Sequence, residues 1–218
     1  MTASIDLIII GAGGHGRVVA DIAAQHLDRE RIRFVDDAAL DPAFPATVDG
    51  IAVLGPGAQI GDVDAPFVIG IGNDRVARRR AAEAAASFGR VAMALRHPAA
   101  TVADGVVVDG GAVIAAGAVL NVGARLEAHV IVNTRAVVEH DVTLEVFAHV
   151  APGAVLCGGV SIGAAAHVGA GAVVREGLTI GAGATIGAGA VVIRDVADGA
   201  IVVGNPATAI SERDDIPH

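Results

Sequence analysis

The sequence predicts a small α/β domain followed by a parallel β-helix, and three observations carry that expectation. The first is an unbroken period of six over the C-terminal half. The second is a strand, a glycine turn and a helix in immediate succession near the N-terminus. The third is composition: 53% of the 218 residues are hydrophobic, with 46 Ala, 33 Val and 29 Gly, but no Trp, no Tyr and five Phe. A chain this apolar is not disordered, and its core must be built from small and β-branched side chains rather than aromatic anchors.

From Val102 to Val192 every sixth residue is Val, Ile or Leu, sixteen in register without an insertion, and four residues after each comes a second, mostly small, apolar position such as Ala112, Ala118 or Ala124. Six is not a multiple of 3.6, so a helix would smear these positions around its circumference. A strand keeps i, i+2 and i+4 on one face, so each hexad reads as a short strand plus a corner. Gly163, Gly169, Gly171, Gly181, Gly183, Gly187 and Gly189 supply corners where positive φ or close backbone approach is needed. Three hexads per coil would bring residues eighteen apart above one another, with coils about 4.8 Å apart, and sixteen hexads give a little over five coils. Residues 151–174 lack Asp, Glu, Lys and Arg, but Pro152, the glycines and His167 make them part of the repeat and not a membrane span.

Before the repeat, residues 5–10 (IDLIII) read as a buried strand, GAGGHG as a turn and RVVADIAAQ as an amphipathic helix. Glycines there let backbone amides approach phosphate, and a helix N-terminus favours its charge. Gly11, Gly13, Gly14, His15 and Gly16 are therefore expected to hold a nucleotide. A second strand, IRFVDD, ends at Asp36 and Asp37, about twenty residues on, where a carboxylate would meet ribose or base. IAVLG (51–55) and PFVIGIG (66–72) are expected to continue the parallel sheet, Asn73 to face the substrate, and Asn73 to Phe88 to form a helix with Arg78 to Arg80 on a solvated face. Only about 95 residues precede the repeat, too few for a full dinucleotide fold, so a Rossmann-like half domain is expected. His97-Pro98 marks the junction, giving domains 1–97, 98–196 and a C-terminal loop and tail 197–218.

A wall of Ala, Gly and Val is chemically inert, so polar residues interrupting it are informative. Asn133, Glu139, His140, Asp141, Glu145, His149 and His167 cluster in the middle coils. His140 beside Asp141 offers a base with a carboxylate to orient it, as general-base catalysis near neutral pH requires. His149 and His167, eighteen apart, should stack. His129 and Cys157 are read as structural, and no Cys/His spacing supports a metal site. A net charge of −9 with no Lys argues against nucleic acid and polybasic membrane binding. The single Cys157 cannot form an intrachain disulfide, and MTASIDLIII lacks the basic region and cleavage site of a secretory signal, so a cytoplasmic protein is expected.

Taken together, GAGGHG, the hexads, E-H-D at 139–141, a second His in FAHVAPGA and the closing VVGNPA at 202–207 resemble the PglD/NeuD-type hexapeptide-repeat sugar acetyltransferases over nearly the whole chain. The resemblance implies a left-handed β-helix, a homotrimer, acetyl-CoA as cosubstrate and no metal. It also implies a nucleotide-linked amino sugar as acceptor, the product being a building block for surface polysaccharide such as lipopolysaccharide. By the same resemblance His140 is the general base and Asp141, where the family commonly has Glu, orients it. Asn133 and His149 would line the site, with His149 also facing the cosubstrate. Backbone groups at Gly158, Gly169 and Gly187 and the loop with Asn205 and Pro206 would bed the pantetheine arm. A GDP-perosamine type of acceptor ranks ahead of a UDP-linked 4-amino sugar. Two alternatives stand beside this reading: acetyl transfer to a hydroxyl, as in sialic acid O-acetyltransferases, and a non-catalytic assembly subunit.

Overall fold

The computed structural model describes residues 4–210, and the chain divides into two compact units. One runs through Pro98 and takes in Gly110–Val113; the other comprises Ala99–Asp109 and the chain from Ile114 onward.

In the first unit, strand β1 (Leu7–Ile10) lies between β2 (Ile32–Val35) and β5 (Phe67–Ile69), all parallel. Leu7, Ile8 and Ile9 are fully buried, as an unbroken apolar run in a covered parallel sheet should be. Helix α1 (Gly14–Ala23) follows β1 after the glycine turn. A methyl at Gly16 would overlap the carbonyl oxygen of Gly11, and one at Gly70 would fall 2.5 Å from that oxygen and 2.8 Å from Gly16 Cα. Gly16 thus serves close packing of helix on strand, whereas Gly13 and Gly14 face open space.

Three expectations for this unit are corrected. IAVLG does not continue the parallel sheet: β4 (Ile51–Ala52) pairs antiparallel with β3 (Thr47–Val48), and only Val53 forms a parallel bridge, to Phe34. Asp49 and Gly50 both have positive φ, the two-residue turn that an Asp-Gly pair favours in hairpins. The second helix, α2 (Arg75–Ser87), starts two residues later than expected because the Asp74 carboxylate accepts the Ala77 N–H (2.9 Å) and caps it. Arg78 is not on a solvated face. It is 1% exposed, while Arg79 and Arg80 are exposed. Burial lowers the Arg78 pKa to about 10, leaving it charged. Burial and the nearby Arg78 charge together push His15 down to about 4, so its imidazole is neutral.

The second unit is a parallel β-helix of hexapeptide repeats. Two-residue strands stack as three ladders in which partners are eighteen apart: Val119↔Val137↔Val155 on the first face, Arg125↔Thr143↔Ser161 on the second, Ile131↔His149↔His167 on the third. The six-spaced residues from Leu120 to Ile186 point inward and are at most 1% exposed, and the small positions between them fill the rest of the core. Residues 151–174, charge-free in sequence, are coils of this solenoid, and no helix among the described residues is long and apolar enough to cross a membrane. Two kinds of corner glycine separate. Gly171 has φ +66 with open space around it, whereas a methyl at Gly163 would fall 2.6 Å from the Ala182 nitrogen of the next coil. The third face gains another rung from Ile201–Val203, which in turn pairs antiparallel with Thr208–Ala209. Outward on the first face stand Val119, Val137, Val155, Val173 and Val191, all half-buried, while the second face presents Arg125, Thr143, Ser161 and Thr179.

Inward and outward neighbours on one strand should differ sharply under truncation. Ile162→Ala, in the core, is expected to cost about 2–5 kcal/mol, and Ser161→Ala beside it less than about 0.5 kcal/mol, measured by urea unfolding. The neutral His15 sets a pH dependence. Between about pH 6.5 and 4 the unfolded chain binds a proton there that the folded chain refuses, so stability falls as pH is lowered through this window. His15→Gln should therefore lose less melting temperature than the native protein between pH 7 and pH 4.5; an equal loss would contradict the assignment.

Candidate active site

The corner that joins the first and second faces has glycine with positive φ at Gly105, Gly123, Gly159 and Gly177, and in the same column Asp141 with φ +59. A β-carbon in the left-handed region costs of order 1–2 kcal/mol, though Asp tolerates it better than most residues. That cost accompanies a specific contact. Asp141 Oδ2 lies 3.0 Å from His140 Nδ1. A carboxylate only accepts, so Nδ1 carries the proton and a neutral ring keeps its lone pair on Nε2. Both side chains are open to solvent, 59% and 73% exposed, as a base that meets a substrate must be. Their backbones are pinned on both sides: Asp141 N–H donates to Val122 O (3.1 Å), and Gly159 N–H donates to His140 O (2.9 Å). Glu139 Oε2 accepts the His140 N–H at 3.3 Å.

On the third face His149 and His167 occupy adjacent rungs with their rings 4.8 Å apart, edge to face, as the eighteen-residue spacing requires. Asn133 Nδ2 sits 3.3 Å from His149 Nε2, and Asn133 Oδ1 accepts the Thr134 N–H (2.8 Å). His149 is only 5% exposed. The three residues form one polar cluster on the third face, nine residues and so half a coil along the chain from the corner that carries His140. His129 stacks on Phe147 at 5.0 Å, and the Cys157 thiol is pushed up by burial and then by Glu176 and Glu139. Neither has a geometry that serves chemistry. Among the described residues no group of three His, Cys, Asp or Glu could hold a metal.

The first unit contains a cavity of about 680 Å³ lined by Gly11, Asp36, Asp37, Asp74, Arg80 and an apolar wall of Ile60, Ile71, Ala77, Ala81, Ala84 and Phe88. Asp36 is engaged by the backbone: Oδ2 accepts the Ala12 N–H (2.7 Å) and Oδ1 the Ala38 N–H (2.9 Å), which ties the glycine turn to the end of β2. Asp37 accepts the Gly57 N–H through Oδ1 (2.9 Å). Asn73 is exposed and does not line the cavity, where Asp74 does. Gly13 caps α1 without a side chain, and no acidic residue occupies the first turn, so the helix start suits an anion. Sequence reasoning missed Asp74, Arg80 and Phe88. Their signal was the helical spacing 74, 77, 80, 81, 84, 88, which puts one face of α2 on the cavity.

Among the residues expected near a pantetheine arm, Gly169 and Gly187 donate their N–H groups to Ile186 O and Val202 O, and their carbonyls accept from Ala172 and Ala190, so both are committed to the coil ladder. Asn205 and Pro206, joined by a cis peptide, lie exposed in the turn before Thr208–Ala209. Gly158 lies against the ring of His140.

Residues 6–84 match the PglD N-terminal domain family, and residues 159–194 match the bacterial transferase hexapeptide family of six repeats. Among solved structures, the acetyltransferase domain of PglB from Neisseria gonorrhoeae FA1090, in complex with acetyl coenzyme A, is 38% identical with a TM-score of 0.88, over 95% of this chain and all of that one. A histidine-to-asparagine variant of perosamine N-acetyltransferase from Caulobacter crescentus, in complex with CoA and GDP-perosamine, is 31% identical with a TM-score of 0.89, over 96% of this chain and 99% of that one. WeeI from Acinetobacter baumannii AYE is 27% identical with a TM-score of 0.87, over 95% and 100%. With two such neighbours above 30% identity across almost the whole length, both domains matched and a His–Asp pair on the β-helix, the chain belongs to the PglD/NeuD-type family of hexapeptide-repeat sugar acetyltransferases.

Proposed function

We propose that this protein transfers the acetyl group of acetyl-CoA to the 4-amino group of a nucleotide-linked amino deoxy sugar, a GDP-perosamine type first and a UDP-4-amino sugar next. The observation that carries the reading is the His140 Nδ1–Asp141 Oδ2 contact of 3.0 Å, made by an aspartate held at positive φ. The amine nitrogen attacks the thioester carbonyl carbon; a C–N bond forms, the C–S bond breaks, and CoA leaves. His140 Nε2 takes the proton the nitrogen must shed and returns it to the departing sulfur, while Asp141 stabilises the imidazolium that exists in between. Neighbours solved with acetyl coenzyme A, and with CoA and GDP-perosamine, support both substrates. The name N-acetyltransferase on the perosamine neighbour favours an amine over a hydroxyl, and no residue favours the hydroxyl.

In this reading the cavity of the first unit takes the nucleotide, with Asp37 and Asp74 as acceptors toward base or ribose and the start of α1, with Gly13, Gly14 and His15, toward phosphate. Asp36 acts by holding the turn. The loop at Asn205 and Pro206 and the Asn133–His149 cluster serve acetyl-CoA and the reacting amine. The His140 corner and the His149 face form one cleft where two chains of a homotrimer meet. The outward valine row of the first face suits such a contact, because a monomer would leave it wet. The reaction belongs in the cytoplasm, where acetyl-CoA and nucleotide sugars are made, and its product feeds surface polysaccharide assembly.

Acetyl transfer should be seen with a GDP- or UDP-linked 4-amino sugar in a small panel, and none with the corresponding 4-hydroxy sugars; transfer only to hydroxyls would reverse the acceptor. His140→Ala should lower kcat by roughly 10²–10⁴-fold with the KM for acetyl-CoA nearly unchanged, and Asp141→Asn by less. Light scattering at micromolar concentration should return three times the chain mass; a monomer would count against the shared cleft.

A further inference from the structure

We propose that Gly158 is a positioning residue for this reaction: its missing side chain is the seat on which the His140 imidazole rests. The inference rests on the reading of His140 as the base. Residues 104, 122, 140, 158 and 176 form one column at the corner between the first and second faces, one per coil, and read Asp, Val, His, Gly and Glu. Four of the five carry a β-carbon, so the corner accepts one. Gly158 is not in the left-handed region, so its own backbone does not call for glycine either.

The neighbouring coil supplies the reason. A methyl at Gly158 would fall 2.5 Å from His140 Cε1 and 3.1 Å from Cδ2, and closer still to Nε2. That is well inside van der Waals contact. The ring therefore lies across the bare Cα of Gly158, with the nitrogen that takes the proton nearest to it. One coil on the other side the pattern repeats for the partner: a methyl at Gly123 would overlap Asp141 Oδ1 and stand 3.4 Å from its Cγ. The pair sits between two vacancies, imidazole over Gly158 and carboxylate against Gly123. Gly123 also needs glycine for its φ of +78, which mixes two causes, so Gly158 offers the clean test.

The experiment is a double-mutant cycle of Gly158→Ala and His140→Ala, read in kcat, in the KM for acetyl-CoA and in melting temperature. Gly158→Ala alone should lower kcat by roughly 10²-fold, as an ångström-scale displacement of a catalytic group does, with KM for acetyl-CoA little changed. The displaced ring is the far end of an exposed side chain and can swing aside, so the melting temperature should change little. In the His140→Ala background, where the ring is gone, the same substitution should leave both kcat and melting temperature unchanged. Equal losses in the two backgrounds would show that Gly158 serves acetyl-CoA or the coil itself, and would overturn the proposal; so would native kcat in Gly158→Ala. Full activity in His140→Ala would instead sink the base assignment, and with it the catalytic part of the proposal.

Discussion

Residue n of the solenoid lies over residue n + 18 because the coils are hydrogen-bonded rung to rung, as in Val137 N–H to Ala154 O and Val155 N–H to Ala172 O, both 2.8 Å. Each such bond contributes only about 0.5–1.5 kcal/mol net, but leaving one unmade in the interior costs more, so the register cannot drift. Everything else in this unit follows from that ladder. It stacks Leu120, Val138 and Leu156 into one column of the core, and it stacks Gly105, Gly123, Asp141, Gly159 and Gly177 into one corner column. A side chain placed on a given rung meets only the rungs above and below it.

That restriction is what gives a chemically plain wall a reactive point. His140 and Asp141 are consecutive residues whose side chains meet because the corner turns between them, and the flanking coils contribute only by offering space, at Gly158 and at Gly123. The polar cluster of Asn133, His149 and His167 uses the same ladder differently. There the adjacent rungs supply partners, and His149, with Arg78, is one of two buried polar or charged residues among those described. In the first unit the constraint is close packing. Gly11, Gly16 and Gly70 bring β1, α1 and β5 into backbone contact, which leaves Gly13 and Gly14 open at the start of the helix.

Much of this was readable in the amino acids. The period of six fixes the strands, the inward positions and the His149–His167 stack, because a ladder translates sequence spacing directly into contact. The E-H-D run points to His140 for the same reason: neighbours in sequence are neighbours at a corner. What escaped depends on facts that spacing does not encode. Arg78 looks like a surface residue in a run of three arginines, and only the packing of α2 buries it. The Asp49-Gly50 turn was present as a pair of letters, but IAVLG was apolar enough to read as another parallel strand. Asp36 stood at the expected distance from the glycines, yet its two oxygens hold backbone amides at Ala12 and Ala38. Gly158 is invisible in sequence as a seat for histidine, since its role lies in the atoms it lacks.

The claim at the centre of this account is that one imidazole, held by Asp141 at a β-helix corner, takes the proton from the attacking amine. It is tested most directly by the pH dependence of kcat for the native protein and for His140→Ala, with both substrates saturating. The native rate should fall on the acid side along a single-proton limb that the variant lacks, and the variant should remain slow across the whole range. A variant that keeps the same acid limb, or that regains the native rate at high pH, would show that the proton leaves by another route.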